Sequence, residues 1–280
     1  MTSKARGGAK RTGLILVNVL VVVAIAAATV TVMIVAQDIE VRRAIRLHDA
    51  AQARAYSRAG ELSAVVALRR DSLTAPALDT LTDPWALIEQ RPIRIPGGTF
   101  ALSIADEQAR FNLNAITKGD PFSSVAFLRI GEAAGVPPAT INFIAATVLT
   151  FGELRDDGPL RTVGIDPAEL ARLAPYISFL PADAVLNLNT ADPLLLQIIL
   201  QDPESVRRVL ARRAEGGMSA EEGAALGPSG LVGASSSHFR VETTVVLGEI
   251  VHKTASRIER RLTPQGPWVG VIARRRLAAP

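Results

Sequence analysis

The chain opens with an uninterrupted apolar run. Between Leu14 and Ala36 there is no Asp, Glu, Lys, Arg or His. A helix of about 20 such residues, rising about 1.5 Å each, crosses a bilayer core. Proline stays absent from Asp38 to Arg70, where Ala, Leu, Arg and Glu favour helix. Val41, Ala44, Ile45, Leu47, Ala51, Ala55, Leu62, Val65 and Val66 recur with helical spacing. The pattern predicts one long helix, its first half in lipid and its second half laid along a folded domain by that stripe, with Gly60 as a bend.

The period changes further on. Asp71–Pro92 reads as a looser piece, with Trp85 buried after the Asp83-Pro84 turn. Phe100, Leu102 and Ile104 alternate with Ala101, Ser103 and Ala105, predicting a strand. Asp106–Ala109 reads as a turn and Phe111–Asn114 as the returning strand of a hairpin. From Asp120 the signals are helical. Asp120-Pro121, Pro137-Pro138, Asp166-Pro167, Asp192-Pro193 and Asp202-Pro203 open helices, and Ser219–Glu222 fits a capping box. Residues 227–237 read as a loop. Phe239, Val241, Thr243 and Val245 then share one strand face, a turn follows at Leu247-Gly248-Glu249, and Ile250–Leu262 is a second strand. The residues after Pro264 read as a loosely held tail.

The fold class expected is α+β: a long N-terminal transmembrane helix, an antiparallel sheet and an inserted all-helical block. The divisions are 1–13 (leader), 14–36 (transmembrane), 37–70 (outer half of the helix), 71–119 (first part of the sheet domain), 120–226 (helical insertion), 227–263 (closing strands) and 264–280 (tail).

Charge changes the picture at one end. The chain has 31 Lys+Arg against 27 Asp+Glu. Lys4, Arg6, Lys10 and Arg11 precede the apolar run with no acid among them, leaving 27 of each sign elsewhere. The basic excess is therefore a topology signal that keeps the N-terminus cytoplasmic, not a nucleic-acid face. A second basic cluster, Arg257, Arg260, Arg261 and Arg274–Arg276, reads as a solvated strand and tail. With no cysteine, disulfides and thiolate metal sites are excluded. His48, His238 and His252 form no ligand pattern and read as surface or half-buried residues. Asp156-Asp157 could face calcium or form a solvated turn. No nucleophile elbow or phosphate loop occurs.

Three readings fit the N-terminus. It can be a plain single-pass anchor, or a secretory signal cut near Ala26-Ala27-Ala28. The third rests on a basic leader ending in glycine directly before the apolar helix, which resembles a type IV prepilin. More narrowly, the chain resembles the K minor pseudopilins of bacterial type II secretion systems. Asp106-Glu107-Gln108-Ala109-Arg110-Phe111-Asn112-Leu113-Asn114, Asn187-Leu188-Asn189-Thr190-Ala191 and Ser237-His238-Phe239-Arg240-Val241 are similar to stretches of that family. Ala109 stands where the family usually has glycine, and the family's acidic Asp-Trp-x-Asp motif is not recognisable, which puts any calcium site in doubt.

The resemblance implies cleavage by a prepilin peptidase after Gly13 and N-methylation of Leu14. It also implies a place at the tip of a periplasmic pseudopilus, beside the I and J minor pseudopilins and other pseudopilins, in the bacterial inner membrane. No catalytic residue and no cofactor is expected. Asn18 occupies the fifth mature position, where most pilins carry Glu and the K branch does not. An amide avoids placing an unpaired carboxylate in lipid. The alternatives are a single-pass periplasmic binding module or enzyme, and a periplasmic DNA-binding protein. The last fits poorly, because Leu200-Gln201-Asp202-Pro203-Glu204 sets acids where phosphate would sit.

Overall fold

The computed structural model describes residues 8–74, 77–88, 91–228 and 230–278, with side chains from residue 16 onward. Lys4 and Arg6 lie outside the described residues, as do the side chains of Lys10, Arg11 and Leu14.

Helix α1 runs without a break over Gly8–Thr74, 67 residues or about 100 Å. Its face toward the domain is not the stripe expected from the sequence. Ala53, Ser57, Gly60, Glu61, Ala64, Leu68 and Asp71 are buried, whereas Leu62 and Val66 are 63% and 60% exposed. Small side chains let the helix lie close on the sheet. Gly60 sits under the Phe100 ring, where a Cβ would come within 2.6 Å of Phe100 Cζ. Its role is this close approach.

The sheet is antiparallel, in the order β1-β2-β7-β8-β9. Its strands are β1 (Ile93–Ile95), β2 (Gly98–Asp106), β7 (His238–Leu247), β8 (Ile250–Thr263) and β9 (Gly266–Leu277). The strands before and after the helical block are hydrogen-bonded neighbours, Ile104 opposite Val241. Trp85, fully buried, meets Phe239 edge-on with ring centroids 5.1 Å apart, in a core shared with Ala64 and Leu68.

Two expectations fail here. Phe111–Asn114 does not return beside β2, since β1 and β7 hold both edges of that strand. The Asp106 side chain accepts from Gln108 N and turns the chain into a 3-10 turn over Glu107–Ala109. Then β3 (Phe111–Asn112) pairs in parallel with β4 (Ile177–Ser178). The tail is likewise not loose, because β9 pairs with β8 along most of its length. Arg261 lies over the ring of its register partner Trp268, 4.4 Å from the centroid. As an edge strand with both faces partly solvated, β9 carries no clean alternation to betray it.

The helical block comprises α2 (Pro121–Ala133), α3 (Pro138–Phe151), α4 (Gly158–Thr162), α5 (Pro167–Leu173), α6 (Pro193–Leu200), α7 (Pro203–Ala214) and α8 (Ala220–Ala224). The short α4 has no counterpart in the sequence reading. Asp120, Asp166, Asp192 and Asp202 each accept backbone N–H groups at the first turn, ahead of proline. Ser219 and Glu222 complete the capping box. The block has its own apolar core, centred on Phe111, Phe127, Ile130, Ile144, Leu173 and Leu195. The region after Gly227 is not a free linker. Its β6 (Val232–Gly233) pairs with β5 (Leu186–Asn187), and Leu231, Val232, Ala234 and Ser236 are buried.

Candidate functional site

The main joint lies where α1 ends, the sheet begins and the helical block leaves and returns. Arg260 of β8 projects into it, 9% exposed. Its Nη1 donates to Asp71 Oδ2 at 2.8 Å, and its Nη2 donates to Asp79 and to the Ser236 carbonyl at 2.6 Å. The guanidinium also lies 5.1 Å from the centroid of Phe239. Asp79 is fully buried and accepts from Ser236 N at 2.6 Å, while its backbone carbonyl accepts from Asn187 Nδ2 at 3.0 Å. Asp106 accepts from Ser236 Oγ at 2.7 Å, from Asn187 Nδ2 at 3.2 Å, and from Thr190 Oγ1.

Two buried carboxylates thus meet one arginine, and a third, Asp106, joins them through Ser236 and Asn187. Burial pushes the Asp71 carboxyl up to about 6, helped by the neighbouring charge of Asp79 and opposed by Arg260. Burial also raises Asp79 and Asp106, against the hydrogen bonds that favour their ionised forms. A buried ion pair of this kind adds little over an apolar contact, but removing one partner strands the other. It fixes orientation more than it adds stability.

The family-like stretches all converge on this joint or the wall beside it. Gln108 Nε2 donates to Val185 O at 2.9 Å and its Oε1 accepts from Ser237 N at 2.7 Å. Asn112 donates to Pro181 O at 2.7 Å and accepts from Leu180 N at 3.1 Å. Asn114 donates to Leu154 O and Leu180 O and accepts from Leu154 N. Asn189 closes a similar pair with Met218 N and O, at 2.8 and 3.0 Å. A side-chain amide presents both halves of a peptide group, so each asparagine satisfies buried backbone that no ladder reaches. Nothing in the sequence alone separates these residues from solvated turn asparagines.

The C-terminal arginines are corrected in the same way. Arg260 is buried, Arg257 pairs with Glu107, and Arg274 pairs with Glu61, which also accepts from Ser256. Burial alone would raise the Glu61 carboxyl, but Arg274 and Ser256 outweigh it and hold it low. His238 is buried rather than half-exposed. Its Nδ1 meets Ser237 Oγ at 2.9 Å, and burial lowers the ring's hold on a second proton. Asp156 and Asp157 each already have a partner in the turn and helix that follow. Asp156 accepts from Gly158 N, and Asp157 holds Arg161 at 2.6 Å. Among the described residues no cluster of three or more His, Asp or Glu side chains could hold a metal.

At the other end, α1 is the one described helix long and apolar enough to cross a membrane, and its apolar stretch touches no other part of the chain. That fits a single-pass anchor. Gly13 lies within the described helix backbone, while Asn18 is exposed on the helix surface. Thr29 and Thr31 return their hydroxyls to the carbonyls of Ile25 and Ala27, both at 2.9 Å, so neither needs water.

No protein-family model matches the chain. Two curated proteins do. Type II secretion system protein K of Pseudomonas aeruginosa is 28% identical over 251 residues, covering 76% of this chain and 75% of the relative. Type II secretion system protein K of Klebsiella pneumoniae is 27% identical over 282 residues, covering 81% and 84%. The fold matches one chain of the crystal structure of the GspK-GspI-GspJ complex from the enterotoxigenic Escherichia coli Type 2 Secretion System. There the TM-score is 0.70 at 21% identity, covering 85% of this chain and all of the other. With the motif stretches gathered at one joint and two protein K relatives matched over most of their length, the chain is similar in sequence and fold to the type II secretion system K proteins.

Proposed function

We propose that this chain is a non-enzymatic subunit at the tip of a periplasmic pseudopilus, in contact with I and J minor pseudopilins. In this reading a prepilin peptidase cuts after Gly13 and Leu14 is N-methylated. The apolar helix sits in the bacterial inner membrane, with its N-terminus cytoplasmic and the sheet and helical block in the periplasm. The subunit needs no cofactor.

The observation that carries this reading is the two-sidedness of α1. Its small residues face its own sheet, and large apolar residues such as Leu62, Val66 and Leu73 remain exposed well beyond the lipid stretch. A plain anchor has no use for a greasy outer face there, whereas a helix bundling with sister subunits does. The unbroken course of α1 past Ala26-Ala27-Ala28 also argues against signal-peptide cleavage at that point. The helical block adds bulk beside the sheet, as a subunit that ends a stack requires. A DNA-binding reading loses its chemistry at the α6–α7 link, where Asp202 already takes the N–H groups of Glu204 and Ser205 that a phosphate would need.

The test is the mass and N-terminal sequence of the membrane-extracted protein. The mature chain is expected to start at methylated Leu14, and Gly13→Ala to leave an anchored precursor. An intact leader, with no pilin-like chains co-purifying, favours the uncut binding module or enzyme instead.

A further inference from the structure

A groove of about 630 Å³ runs between the helical block and the outer face of the sheet, away from α1. Its walls carry seven arginines against three carboxylates. Those carboxylates are already engaged. Glu107 holds Arg257, Asp157 holds Arg161, and Asp156 accepts the amide of Gly158.

The arginines are placed where a fold left to itself would not put them. Arg240 of β7 and Arg257 of β8 are direct register partners, a like-charge pair that costs stability on adjacent strands. Arg240 reaches Glu242 at 2.6 Å through Nη2, but its buried Nε has no partner among the described residues. Arg110 faces both of these arginines. Among the described residues it has only a long bond to the Ala174 carbonyl, at 3.4 Å, and no ion pair. Burial, with the like charges of Arg240 and Arg257, lowers its hold on the proton, with Glu107 and Asp106 the opposing charges. Arg155 and Arg275 stand exposed on the rim, without a carboxylate partner among the described residues.

We infer that this groove binds an acidic, extended polypeptide segment of another protein. The spread of the unmatched guanidiniums decides against a single small anion. They sit between the 3-10 turn and β3, on the link after α3 and on β9, on separate walls rather than around one point. Arg275 also belongs to an edge strand, whose outer backbone groups can hydrogen-bond a chain laid alongside. Carboxylates on that chain would supply what Arg110, Arg155 and Arg275 lack.

The experiment uses the full chain in nonionic detergent and fluorescence anisotropy of a labelled ten-residue peptide alternating Glu and Ala. Binding is expected, weakening as salt rises from about 50 to about 300 mM. The peptide is expected to bind about tenfold more weakly to the triple variant Arg110→Gln, Arg155→Gln, Arg275→Gln. Arg207→Gln, at an exposed position of α7 that does not line the groove, should leave binding unchanged. Thermal melting checks that the triple variant folds. If it does not, the exposed Arg275→Gln alone is read, for an effect of about threefold. Equal binding of a Gln-Ala peptide, or equal affinity of the wild type and the groove variant, overturns the proposal. So does full displacement by millimolar inorganic phosphate, which reassigns the groove to a small anion, or tighter binding of a DNA duplex.

Discussion

The helical block and the joint beneath it are both buried, yet they are built on opposite terms. The block closes on Phe111, Phe127, Ile130, Ile144 and Leu195, an apolar core with Asn112, Asn114 and Asn189 tying buried backbone around it. The joint closes on Arg260, Asp71, Asp79, Asp106, Asn187 and Ser236. Apolar burial is strong but non-directional. A charged, hydrogen-bonded joint tolerates few geometries, because each alternative strands a polar group in low dielectric. The contrast suggests a division of labour. The block holds itself together, and the joint fixes how it sits on the sheet and the membrane helix. For an assembly subunit, that angle is the property to be conserved under load.

The largest expected effect breaks the joint at its cation. Arg260→Ala leaves Asp71 and Asp79 facing each other without a counter-charge. It should cost about 4 kcal/mol, lowering the melting temperature and weakening amide protection in both the sheet and the block. Phe127→Ala should follow at about 3 kcal/mol from the cavity left beside Phe111. Its loss of protection should stay within the block and spare β7 and β8. If Phe127→Ala loosens the sheet as much as Arg260→Ala does, the division of labour is wrong.

Gly60→Ala sharpens a second contact. Alanine raises helix propensity by about 1 kcal/mol, but its Cβ would meet Phe100 Cζ at 2.6 Å and Thr243 Cγ2 at 3.2 Å. The ring must shift, and the net expectation is a loss of about 1 kcal/mol in thermal or denaturant unfolding. A stabilised variant would mean that the helix does not lie this close to the sheet.

Legibility in the sequence followed range. Asp120-Pro121, Asp166-Pro167, Asp192-Pro193 and Asp202-Pro203 are local devices, complete within four residues, and each opens a helix where the sequence places it. The strands around Ile104 and Val241 were readable by their period. The joint was not, because Asp71 and Arg260 are 189 residues apart and each alone resembles a solvated charge. The stripe on α1 misled for a different reason. Periodicity marks the greasy face of a helix, and here that face points away from the sheet while Ala53, Ser57 and Ala64 point in.

The smallest effect is the most specific to the joint. Asp71 has a folded-state value of about 6, above the ordinary 3.8 that it regains on unfolding. Between those values the folded chain holds a proton that the unfolded chain has released. Stability from this group therefore rises as pH falls from 7 toward 4, is lost as pH climbs through 6, and is flat below 4. Asp71→Asn keeps an oxygen acceptor for Arg260 but cannot titrate. Melting curves of the two proteins, taken at steps from pH 7 to pH 4, should therefore diverge, the wild type gaining on the variant by on the order of 1 kcal/mol or less, since nearby solvent screens the charge. Parallel curves would mean that the charge of Arg260 fully offsets burial, so that Asp71 keeps its ordinary carboxylate value in the folded chain.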